Sequence, residues 1–136
     1  MSDYQKPLPI ITDENRLYWD YARKNELRMQ RCAQCGYIRF PVSILCPKCH
    51  SLEFEWSRLS GKGVIYSFVI YHTAYHPAYR DEIPYVVAII QLAEGPRMES
   101  NILDCKVEEV KIDLPVEVVF KDITEIITLP QFKLVN

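Results

Sequence analysis

The chain lacks most of the features that would place it outside the ordinary soluble domains. Across its 136 residues, stretches free of polar side chains, such as Val86 to Ile90, are far too short to cross a bilayer. There is no internal repeat and no low-complexity tract, and a hydrophobic content of 49% excludes a disordered chain. The opening Met1-Ser2-Asp3-Tyr4-Gln5-Lys6-Pro7 has neither the basic end and apolar run of a secretory signal nor the Arg-rich pattern of a transit peptide. The expectation is a cytoplasmic protein with no membrane association. Strong net charge is missing as well, since 16 basic against 18 acidic side chains leave a formal -2. Catalytic signatures are also absent: no Gly-rich phosphate loop occurs, and no serine or cysteine motif pairs with His72 or His76. A binding or scaffolding protein is expected rather than an enzyme.

What is present starts with cysteine. Four of the five cysteines form two tight pairs, Cys32-Ala33-Gln34-Cys35 and Cys46-Pro47-Lys48-Cys49, and Cys105 stands alone. In a reducing compartment such pairs bind metal more often than they form disulfides. A C-x-x-C turn lets both sulfurs reach one ion while backbone N–H groups disperse their charge, so two turns complete a tetrahedral zinc shell. Gly36, directly after Cys35, suits the left-handed conformation such a turn requires; His50, in the corresponding place after Cys49, is less comfortable there. A thioredoxin-type redox pair would need βαβ surroundings, which neither motif has. Cys32, Cys35, Cys46 and Cys49 are therefore the expected ligands of one structural Zn2+. The ion would supply folding energy to a segment too small to hold itself together. Cys105 reads as a small apolar filler.

Charge and hydropathy divide the chain. Residues 23 to 62 carry eight bases and three acids, a net of +5, which leaves -7 for the remainder. An anionic partner should therefore meet the first module. Asp13 is expected to cap a short helix to about Lys24, with Leu17, Tyr18, Tyr21 and Ala22 on one face and Trp19 outside it. The Pro7-Leu8-Pro9 segment reads as an extended arm. Short strands are expected at Leu27–Arg31, Tyr37–Phe40 and Phe54–Leu59, around the cysteines. After Ser60-Gly61-Lys62-Gly63 come longer runs at Val64–His72, Tyr85–Ala93, Met98–Asp104 and Val116–Lys121, with a last strand between Glu125 and Leu134. Five strands with no confident helix among them predict a small barrel. Strand 64–72 is apolar on both faces, read as Ile65, Val69 and Tyr71 against Tyr66, Phe68 and Ile70. Strand 85–93 likewise sets Val86, Ala88, Ile90 and Leu92 against Tyr85, Val87 and Ile89. One face of each fills the barrel, and the surplus apolar face points to association.

From about Arg16 to Phe132 the chain resembles the zinc-ribbon and OB-fold family of acyl-CoA-associated proteins, long catalogued as a domain of unknown function. The resemblance lies in the helix around Leu17-Tyr18-Trp19, in Arg31-Cys32-Ala33-Gln34-Cys35-Gly36, in Phe40-Pro41 and in Cys46-Pro47-Lys48-Cys49. It continues through Ser60-Gly61-Lys62-Gly63-Val64-Ile65-Tyr66-Ser67, Ile83-Pro84-Tyr85-Val86-Val87-Ala88 and Pro115-Val116-Glu117-Val118-Val119-Phe120. His50 and Asp113 stand where such proteins often have glycine. The resemblance implies a mainly β chain: an N-terminal arm and helix (1–26), a rubredoxin-like zinc ribbon (27–60) and a five-stranded OB-fold barrel (61–136). It also implies a non-catalytic partner of thiolase-like or hydroxymethylglutaryl-CoA-synthase-like enzymes, or of hydratase-like proteins, that helps to hold or channel an acyl-CoA intermediate.

CoA calls for cations, a flat aromatic surface and an apolar slot. Arg39 and Lys62, the latter in a flexible Gly-Lys-Gly connector, are the expected cations. Tyr75, Tyr79 and Arg80 in the long segment from His72 to Pro84 are the expected stacking faces and a third charge. The competing reading is a single-stranded nucleic-acid binder, a use to which both ribbons and OB folds are put. The acidic remainder of the chain opposes it.

Overall fold

The computed structural model describes residues 9–73, 77 and 83–135. Its elements are helix α1 (Arg16–Arg23) and strands β1 (Arg28–Cys32), β2 (Ile38–Arg39) and β3 (Phe54–Arg58). Then come β4 (Lys62–Tyr71), β5 (Tyr85–Leu92), β6 (Arg97–Leu103), a 3-10 turn (Val107–Glu109), β7 (Pro115–Asp122) and β8 (Thr128–Leu134). The first three strands make a sheet in the order β2-β1-β3, and the last five close a barrel in the order β4-β5-β6-β8-β7. Among the described residues no helix is long and apolar enough to cross a membrane.

Helix α1 begins differently from the expectation. Asn15, not Asp13, occupies the N-cap, and no side chain caps the helix. The Asn15 side chain turns back into the preceding loop, accepting from the Thr12 N–H at 2.7 Å and donating to the Ile10 carbonyl at 3.0 Å. Asp13 pairs instead with Arg16 at 2.8 Å on the surface. Asn25, at a positive φ of 62°, ends the helix. In so short a helix only the i, i+4 pair Tyr18 and Ala22 is fully buried. Leu17 turns outward, whereas Trp19, expected outside the apolar stripe, packs edge-on against Tyr18 at 5.0 Å and borders the core. The helix touches β1 on one side and β7 and β8 on the other, so it ties ribbon to barrel.

The barrel core consists of Ile65, Val86, Ala88, Ile90, Leu92, Met98, Ile102, Val110, Val116 and Phe132, and Leu27, Met29 and Leu59 from the root of the ribbon join the same cluster. Strand β5 follows the expected alternation, with Val86, Ala88, Ile90 and Leu92 buried. Strand β4 departs from it. A bulge between Ile65 and Ser67 leaves Tyr66 without a partner, so Ile65 opposes Ile90, Phe68 opposes Ala88 and Ile70 opposes Val86. One inserted residue reverses the parity of everything beyond it. Ile65, Phe68 and Ile70 therefore face the core, while Tyr66 and Val69 are exposed.

The Gly-Lys-Gly segment is not a loose connector. Gly61, at φ 78°, lies directly against the Val118 side chain, and a Cβ on Gly63 would come within 2.5 Å of the Gln91 carbonyl. Both glycines are there because β4 enters the barrel through a space without room for a side chain. Lys62 between them is already a strand residue, paired with Glu117.

Candidate metal centre and ligand surfaces

The two knuckles are built alike. In the first, Cys32 N–H bonds the Tyr37 carbonyl at 2.9 Å and Gly36 N–H bonds the Cys32 carbonyl at 2.9 Å. In the second, Cys46 N–H bonds the Ser51 carbonyl at 3.0 Å and His50 N–H bonds the Cys46 carbonyl at 2.8 Å. Gly36 (φ 79°) and His50 (φ 64°) occupy the same left-handed place. The main-chain N–H groups of Cys35 and Lys48 point at the sulfurs of Cys32 and Cys46, at 3.5 and 3.4 Å.

All four sulfurs lie within 4.8 Å of one another. Across the knuckles, Cys32 meets Cys49 at 3.5 Å and Cys35 meets Cys46 at 3.6 Å. A zinc tetrahedron with Zn–S near 2.3 Å has sulfur–sulfur edges of about 3.8 Å, whereas a disulfide needs about 2.05 Å. The donor set therefore fits zinc, and the cysteines are unpaired covalently. Their electrostatics agree. The Cys35 backbone N–H draws the Cys32 thiol down to about 6. Cys49 is lowered by its Ser51 backbone contact, yet the thiol of Cys32, burial and the other two cysteines push it up to about 12. Four adjacent sulfurs cannot all ionise without a cation among them.

The expected ligand-binding cations are placed unequally. Arg39 is no surface charge: only 3% exposed, it braces the ribbon from within. Its Nε donates to Gln30 Oε1 at 3.1 Å, a terminal nitrogen donates to the Ser43 carbonyl at 3.0 Å, and its guanidinium covers the Phe54 ring at 5.0 Å. The hint in the sequence was Gln30, a polar residue whose side chain also accepts the Ser43 N–H at 2.9 Å. Lys62 is exposed. Tyr75, Tyr79 and Arg80 lie outside the described residues. Cys105 is half-buried against the core, and burial raises its thiol pKa, as suits a filler rather than a nucleophile.

Two features were not visible in the sequence. A cleft of about 740 Å³ runs between the ribbon, which contributes Arg31, Gly36, Tyr37 and Phe40, and the β5–β6 turn, which contributes Gln91 and Arg97. Phe40 also lines an apolar slot of about 190 Å³ formed with Tyr18, Trp19, Met98 and Pro130. The residues of both meet only through strand pairing and the docking of α1, so no local motif announces them.

Comparison with known proteins agrees with this architecture. Residues 19–55 match the profile described as the rubredoxin-like zinc ribbon domain of ChsH2, and residues 56–121 match its C-terminal OB-fold domain. A DUF35 domain-containing scaffold protein of Methanocaldococcus jannaschii is 46% identical over 70% of this chain and 67% of its own length. A probable enoyl-CoA hydratase alpha subunit of Thermomonospora curvata is 34% identical over 94% of this chain, which spans only 40% of that longer protein. Among solved structures, a chain of an Ltp2-ChsH2(DUF35) aldolase superposes with a TM-score of 0.85 and 32% identity, covering 93% of this chain and 98% of that one. With both domains matched in order and the four sulfurs gathered where a ribbon needs them, the chain belongs to the DUF35/ChsH2 family of zinc-ribbon and OB-fold proteins.

Proposed function

We propose that this protein is a non-catalytic subunit that docks on a thiolase-like or related acyl-CoA enzyme and helps to hold the CoA thioester, its ribbon kept folded by one Zn2+ on Cys32, Cys35, Cys46 and Cys49. The observation that carries the proposal is the near full-length likeness to the DUF35 chain of an aldolase assembly. Relatives named as benzoylsuccinyl-CoA thiolase and hydratase subunits extend the same association with acyl-CoA enzymes.

The chemistry of the chain supports it. Four sulfurs close the zinc shell, leaving no coordination position for substrate, so the ion holds structure rather than performing Lewis-acid work. When bound, it supplies the charge that lets four thiolates coexist. The outer barrel face offers Val69 (54% exposed) and Ile89 to a partner, apolar surface that the barrel does not use for itself. The apolar slot beside Trp19 and Phe40 has the character required for an extended acyl or pantetheine chain.

Affinity capture from the native cell is the test. Recovery of a thiolase-type enzyme, with no acyl-CoA turnover by the isolated subunit, is the expected result. Turnover by the subunit alone, or recovery of ribosomes or polymerase in place of an acyl-CoA enzyme, overturns the proposal.

A further inference from the structure

The cleft between ribbon and barrel has cations on both walls and little to neutralise them. On the ribbon wall, Arg31 projects from β1 beside Gly36, where one of its terminal nitrogens lies 3.9 Å from the position a Gly36 Cβ would take. No hydrogen bond or ion pair engages its side chain among the described residues. Next to it is the half-exposed Tyr37 ring, with the Lys48 amine 5.4 Å above its face.

The barrel wall is more ordered. Gln91 donates to the Gly95 carbonyl at 2.5 Å and accepts from Arg97 Nε at 2.7 Å. The Arg97 guanidinium then sits over the Tyr66 ring, its Cζ 3.8 Å from the centroid. This fixes the planar fork on two sides, by hydrogen bond and by the ring beneath it, and among the described residues no hydrogen bond or ion pair engages its terminal NH2 groups. Tyr66 can serve as that platform because it follows the buried Ile65 and so turns outward. Among the described lining residues Glu94 is the single acid; its Oε2 accepts the Ser60 N–H at 2.8 Å, and it forms no ion pair with Arg31 or Arg97.

A fixed arginine fork facing a second arginine across a cleft of this size, neither ion-paired among the described residues, matches the geometry of phosphate oxygens rather than that of an apolar ligand. We infer that the cleft binds the phosphates of a small phosphorylated cofactor, Arg97 and Arg31 clamping them from opposite walls. The identity of that cofactor rests on the function proposed above and is then the nucleotide end of CoA. Phe40, shared by the cleft and the apolar slot, marks where the pantetheine arm would leave it.

The test is calorimetric titration of the zinc-loaded full chain with CoA, with inorganic pyrophosphate and with pantetheine, which carries no phosphate. Wild type is compared with Arg31→Gln/Arg97→Gln, with Arg97→Lys and with Lys121→Gln, the last an exposed lysine of β7 outside the cleft. The double variant should weaken CoA by about tenfold or more, as the loss of two charge-assisted contacts requires. Arg97→Lys, which keeps the charge but loses the fork, should fall between. Lys121→Gln should bind like wild type, and zinc content should be equal in all. Pyrophosphate should follow the same order as CoA, and pantetheine should not distinguish the proteins.

Unchanged CoA affinity in the double variant, or no CoA binding by wild type, overturns the clamp. Capture of a thiolase-type enzyme, run in parallel, reads the other proposal separately. An enzyme recovered with the clamp disproved leaves the scaffold role standing, whereas a clamp confirmed without any enzyme leaves only the binding site. Arginine-dependent binding of single-stranded RNA with none of CoA would overturn both.

Discussion

The two ends of the ribbon are held by different forces. At the root, Leu27, Met29 and Leu59 are buried in the same cluster as the barrel, and Tyr18 and Trp19 of α1 pack across the junction. At the tip, Ile44, Leu45 and Leu52 are exposed and the knuckles have no apolar core of their own. Four sulfurs do there what ten buried side chains do in the barrel. The barrel is thus a closed sheet held by non-local packing, whereas the ribbon tip is a pair of local turns whose cohesion arrives with an ion.

The sharpest way to separate these forces is to remove the ion. Cys46 is fully buried, and Cys46→Ser should abolish stoichiometric zinc, with a loss on the scale of structural sites, about 10 kcal/mol of apparent binding free energy. Hydrogen exchange should then show residues 33–53 unprotected while β4 to β8 keep their protection, and Cys105→Ser should change neither. Tip amides that stay protected without metal would show that packing alone suffices. The complementary break is Phe132→Ala, at a side chain with no exposed surface, which should cost about 3–5 kcal/mol of barrel stability. Zinc content at room temperature should be retained, and a variant that loses zinc in proportion to its stability would show the two regions to be one cooperative unit.

Next in size is Gly61→Ala. Its positive φ and its contact with Val118 both oppose a side chain, so the substitution should destabilise the barrel by about 1–3 kcal/mol in urea titrations. A neutral result would mean that the β4 entry is looser than its packing indicates.

These positions also show what could be seen in the chain beforehand. Cysteine spacing foretold the tip because a metal site is local, its ligands three residues apart within each turn. The alternation of β5 was legible because Val86, Ala88, Ile90 and Leu92 occupy one face without interruption. In β4 large apolar side chains fall at both parities, Ile65, Val69 and Tyr71 against Tyr66, Phe68 and Ile70, so its composition does not reveal the bulge at Tyr66 or the side that Val69 takes. Arg39 failed for a related reason. Charge was assigned to the surface by type, while its partners, Gln30, Ser43 and Phe54, are assembled only when β1, β2 and β3 pair. The cleft between Arg31 and Arg97 required the ribbon to be set on the barrel, which no window of sequence encodes.

A smaller effect concerns pH at the ribbon root. The Glu26 carboxylate accepts from Arg28 Nε at 2.8 Å, and that hydrogen bond, together with the nearby charges of Arg28, Arg58 and Lys24, holds its pKa below the usual carboxylate value. A depressed folded-state pKa stabilises above the unfolded value and loses that contribution as pH falls through the folded one. Glu26→Gln should therefore lower stability slightly near neutrality, where the contribution is fully present, and leave it unchanged at the acid limit, so that the acid side of the stability profile is flatter. An unaltered acid limb would show that the pair contributes nothing beyond solvation, as exposed ion pairs often do.

The finest comparison uses two residues in the same strained conformation, one in each region. His50 closes the second knuckle at φ 64°, and Asp113 turns the chain into β7 at φ 71°, its N–H bonded to the Ile65 carbonyl at 2.8 Å. Left-handed backbone costs an L-residue about 1–2 kcal/mol, and glycine returns part of that gain as unfolded-state entropy of about 0.5–1 kcal/mol. Each substitution by glycine should thus stabilise by about 0.5 kcal/mol, but the gain should surface in different measurements. Asp113→Gly should raise the midpoint of barrel unfolding, because that turn belongs to a structure folded with or without metal. His50→Gly should leave that midpoint alone and tighten zinc by about twofold in a chelator competition, because the knuckle forms only as the sulfurs close on the ion. If His50→Gly instead raises the barrel midpoint with no change in zinc affinity, the second knuckle is preformed and the division between an ion-held tip and a packed barrel is drawn in the wrong place.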